Sequence, residues 1–189
     1  MLHLASRSPR RAELLARLGL EFGILDLDVP ERQGANEAAS DYVRRVAREK
    51  AGAGLLAVVA VAGAVVLSAD TEVILEGEVF GKPADAAAAA AMLRRLSGHS
   101  HEVLTAVAVV SAGREAQAVS LSRVTVAPLS EAAIARYLES GEWRGKAGAY
   151  AIQGVFEAHV ARLDGSHSGV MGLPLHETAG LLRQFGVLP

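Results

Sequence analysis

Apolar positions recur along this chain with two different spacings, and each change of spacing marks an element. A short run from His3 to Ser6 reads as a strand. Ser8 and Pro9 then open a helix that continues to about Leu18 and stops at Gly19. Glu21 to Leu27 is a second strand, and the polar residues from Asp28 to Asn36 form a loop. Ala38 to about Ala53 is helical, with Tyr42, Val43, Val46 and Ala47 on one face. A third strand spans Ala64 to Ala69, and Thr71 to Phe80 resembles a hairpin turning at Glu76-Gly77-Glu78. Another helix starts at Pro83-Ala84-Asp85 and reaches Leu96; its six consecutive alanines are strong helix formers, and Met92, Leu93 and Leu96 supply the buried edge. Two long alternating strands follow, His101 to Val110 and Ala116 to Val126, joined at Ala112-Gly113. Ser130, a plausible N-cap, opens a helix to Leu138. The rest reads as a glycine-rich loop from Gly141 to Gly154, a strand from Ala158 to Leu163 and a last helix from Pro174 to Gln184.

The expected fold class is therefore α/β, a mixed and partly antiparallel sheet with flanking helices. The 189 residues suit a single domain spanning 1–189, and no internal repeat or linker interrupts them. Half of the chain is apolar but only 4% is aromatic, so the core must be aliphatic. The longest apolar run, Ala51 to Leu67, is shorter than the roughly 20 residues a membrane helix needs. It reads as a helix end, a turn near Gly63 and a buried strand.

Charge and cysteine usage narrow the chemistry. The formal net charge is −2 with both signs interspersed, so neither a nucleic-acid polymer nor an anionic membrane is an expected partner. Cysteine is absent, which excludes thiolate metal sites and cysteine nucleophiles and agrees with a cytoplasmic setting. Any metal must be held by oxygen or imidazole. The six histidines form no His-Glu-x-x-His pattern, and neither a Walker loop nor a dinucleotide glycine fingerprint is present.

Four segments carry candidate chemistry. In Ser6-Arg7-Ser8-Pro9-Arg10-Arg11, a cap at Ser8 places Arg10 and Arg11 in the first helical turn, where cations oppose the macrodipole by about 0.3–1 kcal/mol. A phosphate docked on the helix N–H groups, with Ser6, Ser8 and the guanidinium groups around it, removes that conflict; two solvated arginines are the alternative. In Ser68-Ala69-Asp70-Thr71 an apolar strand runs into a carboxylate, where open α/β sheets collect ligands; a turn aspartate is the alternative. Gly81-Lys82-Pro83 offers a lysine on a rigid base, able to reach a phosphate or simply to lie on the surface. Arg144 to Gly154 combines small residues with Tyr150 and Gln153, as a ligand-approaching loop or a mobile surface one.

Together these segments resemble the Maf family of nucleotide pyrophosphatases, also described as septum-formation inhibitors. The likeness runs from Leu4 nearly to the C-terminus. It rests on Ala5-Ser6-Arg7-Ser8-Pro9-Arg10-Arg11, Ala47-Arg48-Glu49-Lys50-Ala51, Ala69-Asp70-Thr71, Gly81-Lys82-Pro83, Leu96-Ser97-Gly98, Lys146 to Gly154 and Gly172-Leu173-Pro174-Leu175. The resemblance implies two lobes around a deep cleft, in an inosine-triphosphatase-like architecture that often dimerises. It implies hydrolysis of a nucleoside triphosphate to monophosphate and pyrophosphate, with dTTP or UTP as substrate. Asp70 is implied as proton acceptor, and Arg10, Thr71 and Gln153 as substrate-selecting residues. Arg11, Lys50 and Lys82 are implied to screen the triphosphate, while Glu31 and Asp70 hold Mg²⁺ or Mn²⁺. The family usually shows two adjacent acidic residues before the second helix; here Pro30 replaces the first and Glu31 retains the second, with Asp28 a possible substitute. Two alternatives stay open: a 7-methyl-GTP or inosine-type substrate, and a non-catalytic nucleotide sensor in division control.

Overall fold

A computed structural model describes residues 1–189. Its strands are β1 (Leu2–Ala5), β2 (Phe22–Leu25), β3 (Val65–Leu75), β4 (Glu78–Phe80), β5 (Ser100–Ser111), β6 (Arg114–Val126) and β7 (Val160–Asp164). Its helices are α1 (Pro9–Ala16), α2 (Ala39–Ala57), α3 (Ala86–Leu96), α4 (Glu131–Glu139), α5 (His167–Met171) and α6 (Leu175–Gln184). One seven-stranded sheet is ordered β2-β1-β3-β5-β6-β7, with β4 paired to β3. Strand β1 runs parallel to both β2 and β3, whereas β3–β4 and β6–β7 are antiparallel, so the expected mixed α/β class is found. No helix is long and apolar enough to cross a membrane.

The chain forms two compact units. The first comprises Met1–Asp70, Thr105–Ser120 and Gly172–Pro189; the second comprises Thr71–Leu104 and Leu121–Met171. In the first unit, helix α2 buries Tyr42, Val43, Val46, Ala47 and Ala51. Gly54 lets it lie close to the sheet, since a Cβ there would stand 2.7 Å from Val66 and 3.0 Å from Ala5. In the second unit, Tyr137, Tyr150 and Phe156 form an aromatic cluster, with Tyr150 and Phe156 centroids 4.7 Å apart.

Strand β3 departs from the sequence expectation. It does not end before Asp70 but continues to Leu75, turning into β4 through Glu76 and Gly77, both with positive φ (52° and 82°). Its burial pattern explains the misreading. Residues 65–70 are buried on both faces, and the run ends in a carboxylate that reads as a strand end; from Glu72 onward burial alternates, as in a strand with one open face. The segment after Gly154 also differs. Val155–His159 is a 3₁₀ helix, so the last strand starts at Val160, and the short helix α5 has no apolar period to announce it.

Candidate functional site

Three parallel strands of the first unit point their carboxyl ends the same way, and the sequence-selected residues follow those ends. The registered pairing of β1 with β3 reaches Leu4–Leu67. Ser6 lies two residues past it on one strand and Asp70 three residues past it on the other. Asp70 thus sits inside a strand, yet beyond the parallel ladder, where an open α/β sheet collects its ligands.

The helix start is organised as its residue types require. Ser8 is the N-cap and Pro9 occupies the first turn. The Ser8 Oγ accepts from the Arg11 N–H at 3.5 Å, so that N–H is already engaged within the helix start. Ser6 Oγ accepts from the Ser8 N–H at 3.2 Å and from the Arg11 guanidinium at 3.5 Å, while Arg11 Nε donates to the Gly172 carbonyl at 2.8 Å. Arg11 is therefore held in place rather than left as a solvated arm. Arg10 is half-buried beside it, and no acidic residue stands in the first turn.

Lys50 is the centre of the acidic cluster. It comes from the buried face of α2, and its ammonium donates to Asp70 Oδ1 at 2.8 Å and lies 2.6 Å from Glu31 Oε1. Lys50 and Asp70 are 8% and 5% exposed, a depth at which a charge persists only when paired. Asp70 Oδ2 is buried and has no hydrogen-bond partner. Glu31 reaches this point from the loop after β2. Asp28 does not: it is exposed and lies 3.8 Å from Arg7, which also bonds Asp26. The side chain of Asp28 is 93% exposed there, beside that of Arg7.

Two carboxylates converging on one cation, with one buried oxygen left over, fit a small hard cation that keeps most of its ligands from elsewhere. No cluster of three or more acidic or histidine side chains is present to form a closed cage. Mg²⁺ is commonly bound by one or two carboxylates together with substrate phosphates.

The remaining sequence-selected residues belong to the second unit. Thr71 is half-buried on β3; Lys82 and Gln153 are exposed. Within the glycine-rich loop Gly148 to Ile152 are buried, and the loop is anchored. The Gly148 N–H donates to the Gly81 carbonyl at 3.3 Å, and a Cβ at Gly148 would meet Val73 at 2.9 Å. Tyr150 is spent inside the protein, its hydroxyl 2.8 Å from His101 Nε2, so it offers no ligand a face or a hydroxyl. Burial pushes the Tyr150 hydroxyl above the usual phenol range and holds the His101 imidazole down at about 4. The sequence reading missed His101 as the anchor of this loop; its place on a buried alternating strand was the available signal.

A family description of Maf-like proteins matches residues 1–185. The chain belongs to the Maf family. This Maf protein is 57% identical over 186 residues to a nucleoside triphosphate pyrophosphatase of Xylella fastidiosa, covering 98% of each chain. It is likewise 57% identical over 188 residues to a dTTP/UTP pyrophosphatase of Xanthomonas euvesicatoria pv. vesicatoria, covering 98% of this Maf protein and 99% of the relative. Among solved structures, the Ham1 protein of Staphylococcus aureus overlaps with a TM-score of 0.48 at 12% identity, over 66% of this chain and 71% of that one. That distance gives no residue correspondence.

Proposed function

We propose that this Maf protein hydrolyses pyrimidine nucleoside triphosphates, dTTP and UTP foremost, to the monophosphate and pyrophosphate in the cytoplasm. The observation that carries the reading is Lys50 held between Asp70 and Glu31, at the strand ends where the Ser6–Ser8–Arg11 network also stands. Close relatives bearing the same activity in their names support it.

In this reading water attacks the α-phosphorus. The bond from that phosphorus to the α,β-bridging oxygen breaks, pyrophosphate leaves with the bonding electrons, and Asp70 takes the proton of the attacking water. Lys50 holds the Asp70 carboxylate by Oδ1, and Oδ2 is left without a hydrogen-bond partner. Arg11, Ser6 and Ser8 bind phosphate oxygens on one side, and Lys82 screens the triphosphate charge. Preorganised cations and donors of this kind supply most of the catalysis in phosphoryl chemistry. Asp70 and Glu31 would hold a divalent ion, Mg²⁺ or Mn²⁺, which neutralises the phosphate oxygens when bound. Arg10, Thr71 and Gln153 select the base: uracil and thymine present an acceptor, a donor and an acceptor, and the Gln153 amide can answer two of these at once.

Hydrolysis of UTP in water enriched in heavy oxygen tests the reaction. UMP should carry the label and pyrophosphate none. Label in pyrophosphate, or UDP with orthophosphate as products, overturns the reading.

A further inference from the structure

Gln153 lies between two anchors that come from the same place. Two residues before it, the Ala151 N–H donates to the Tyr137 hydroxyl at 3.0 Å; two residues after it, the Val155 N–H donates to Glu142 Oε2 at 3.0 Å. Tyr137 is in the last turn of α4, and Glu142 follows that helix directly. The Ser140 hydroxyl, itself donating to the Tyr137 carbonyl at 2.6 Å, accepts from the Glu142 N–H at 3.2 Å, so the helix end also sets where Glu142 starts.

Gly154 shows how closely the carboxylate lies. Its φ of −104° is open to any residue, so glycine is not there for backbone freedom. It is there for space: a Cβ would stand 2.0 Å from Glu142 Oε2 and 2.5 Å from Cδ. The carboxylate is pressed on the peptide that follows Gln153. Tyr137 is built into the aromatic core, whereas Glu142 is only half-buried and its carboxylate accepts from the Val155 N–H.

We infer that Glu142 is a positioning residue for base selection: it locks the backbone around Gln153 so that the amide meets uracil in one orientation. This rests on the proposed contact of Gln153 with the base. A backbone free to shift displaces the Gln153 side chain, and a displaced amide no longer meets both the N3–H and the O4 that distinguish uracil from cytosine at this edge. Loss of the lock therefore relaxes discrimination against cytosine.

The test compares kcat/KM for UTP and CTP in the wild type, Glu142→Ala, Glu142→Gln, Gly154→Ala, the double variant and Gln153→Ala. Glu142→Ala should lower the UTP-to-CTP ratio about tenfold, a range typical of one misplaced specificity contact. Glu142→Gln keeps an oxygen to accept from Val155 and should retain the ratio. Gly154→Ala evicts the carboxylate and should match Glu142→Ala, adding nothing in the double variant. Hydrogen exchange should accelerate at the Val155 amide in Glu142→Ala alone of the two Glu142 variants. Equal losses on both nucleotides, or unchanged exchange at Val155, overturn the positioning role while leaving the base contact intact. An unchanged ratio in Gln153→Ala overturns the base contact itself, and the positioning role with it.

Discussion

Lys50 presents one ammonium to two carboxylates from a site that is 8% exposed, and the balance there is −1 before any metal or substrate arrives. Removing the ammonium leaves Asp70 buried beside Glu31 with like charge, a lesion of about 3–5 kcal/mol for buried pairs. Lys50→Met should lower stability by an amount near the lower end of that range, and Mn²⁺ should then raise the melting temperature more than in the wild type. Equal responses to Mn²⁺ in thermal melts of the two proteins would remove the carboxylate pair as the metal site. Asp70→Asn keeps the shape and leaves Lys50 its contact with Glu31, so the fold should survive while turnover falls by ~10²–10⁴-fold. Near-normal pyrophosphate release with saturating Mn²⁺ would move the proton acceptor elsewhere. Guanine offers two neighbouring donors, which suit a carboxylate better than an amide. Gln153→Glu should depress kcat/KM for dTTP and UTP and raise relative activity on 7-methyl-GTP; a uniform loss would assign Gln153 to the loop.

Among the elements, those with local signals were legible in the sequence. Ser8 and Ser130 cap their helices as their positions suggested, and Asp85 caps the alanine-rich α3 by accepting from the Ala88 N–H at 2.8 Å. The β3 boundary was not legible, because a block buried on both faces looks complete where its neighbour merely changes. His101 shows what such a strand can hide. Its imidazole is 2% exposed on β5 and bonds Tyr150, tying the glycine-rich loop to the sheet of the second unit. Burial keeps it neutral, with a folded value of about 4 against the ordinary 6.5. The unfolded chain then binds more protons between these values, so this contribution is whole above about pH 6.5 and is lost as pH falls toward 4, on the order of 3 kcal/mol. His101→Gln keeps a partner for the Tyr150 hydroxyl without titrating. Urea midpoints at about pH 7.5 and 5 should differ less in this variant than in the wild type; an equal drop would place the acid sensitivity in another group.

At the scale of the whole molecule, the two units are discontinuous in sequence: the first takes residues 105–120 and 172–189 as well as the N-terminal segment. No composition shift marks these divisions, since β3, β5 and β6 pass through them unbroken. Charge pairing follows the same rule. Arg48 bonds Glu115 at 2.8 Å and Arg94 bonds Glu131 at 2.8 Å, joining parts of the chain with no mutual signal in the sequence. What the sequence determined alone was the α/β class, the helix caps, the hairpin turn and the set of chemical groups, because each is written within a turn or two of chain. Tertiary structure alone decided that Lys50 meets both Asp70 and Glu31, that Asp28 goes to Arg7, and that Glu142 lies on Gly154. Those meetings depend on which apolar faces pack together. The burial of α2 against the sheet carries Lys50 to Asp70, and no local pattern around either residue encodes that approach.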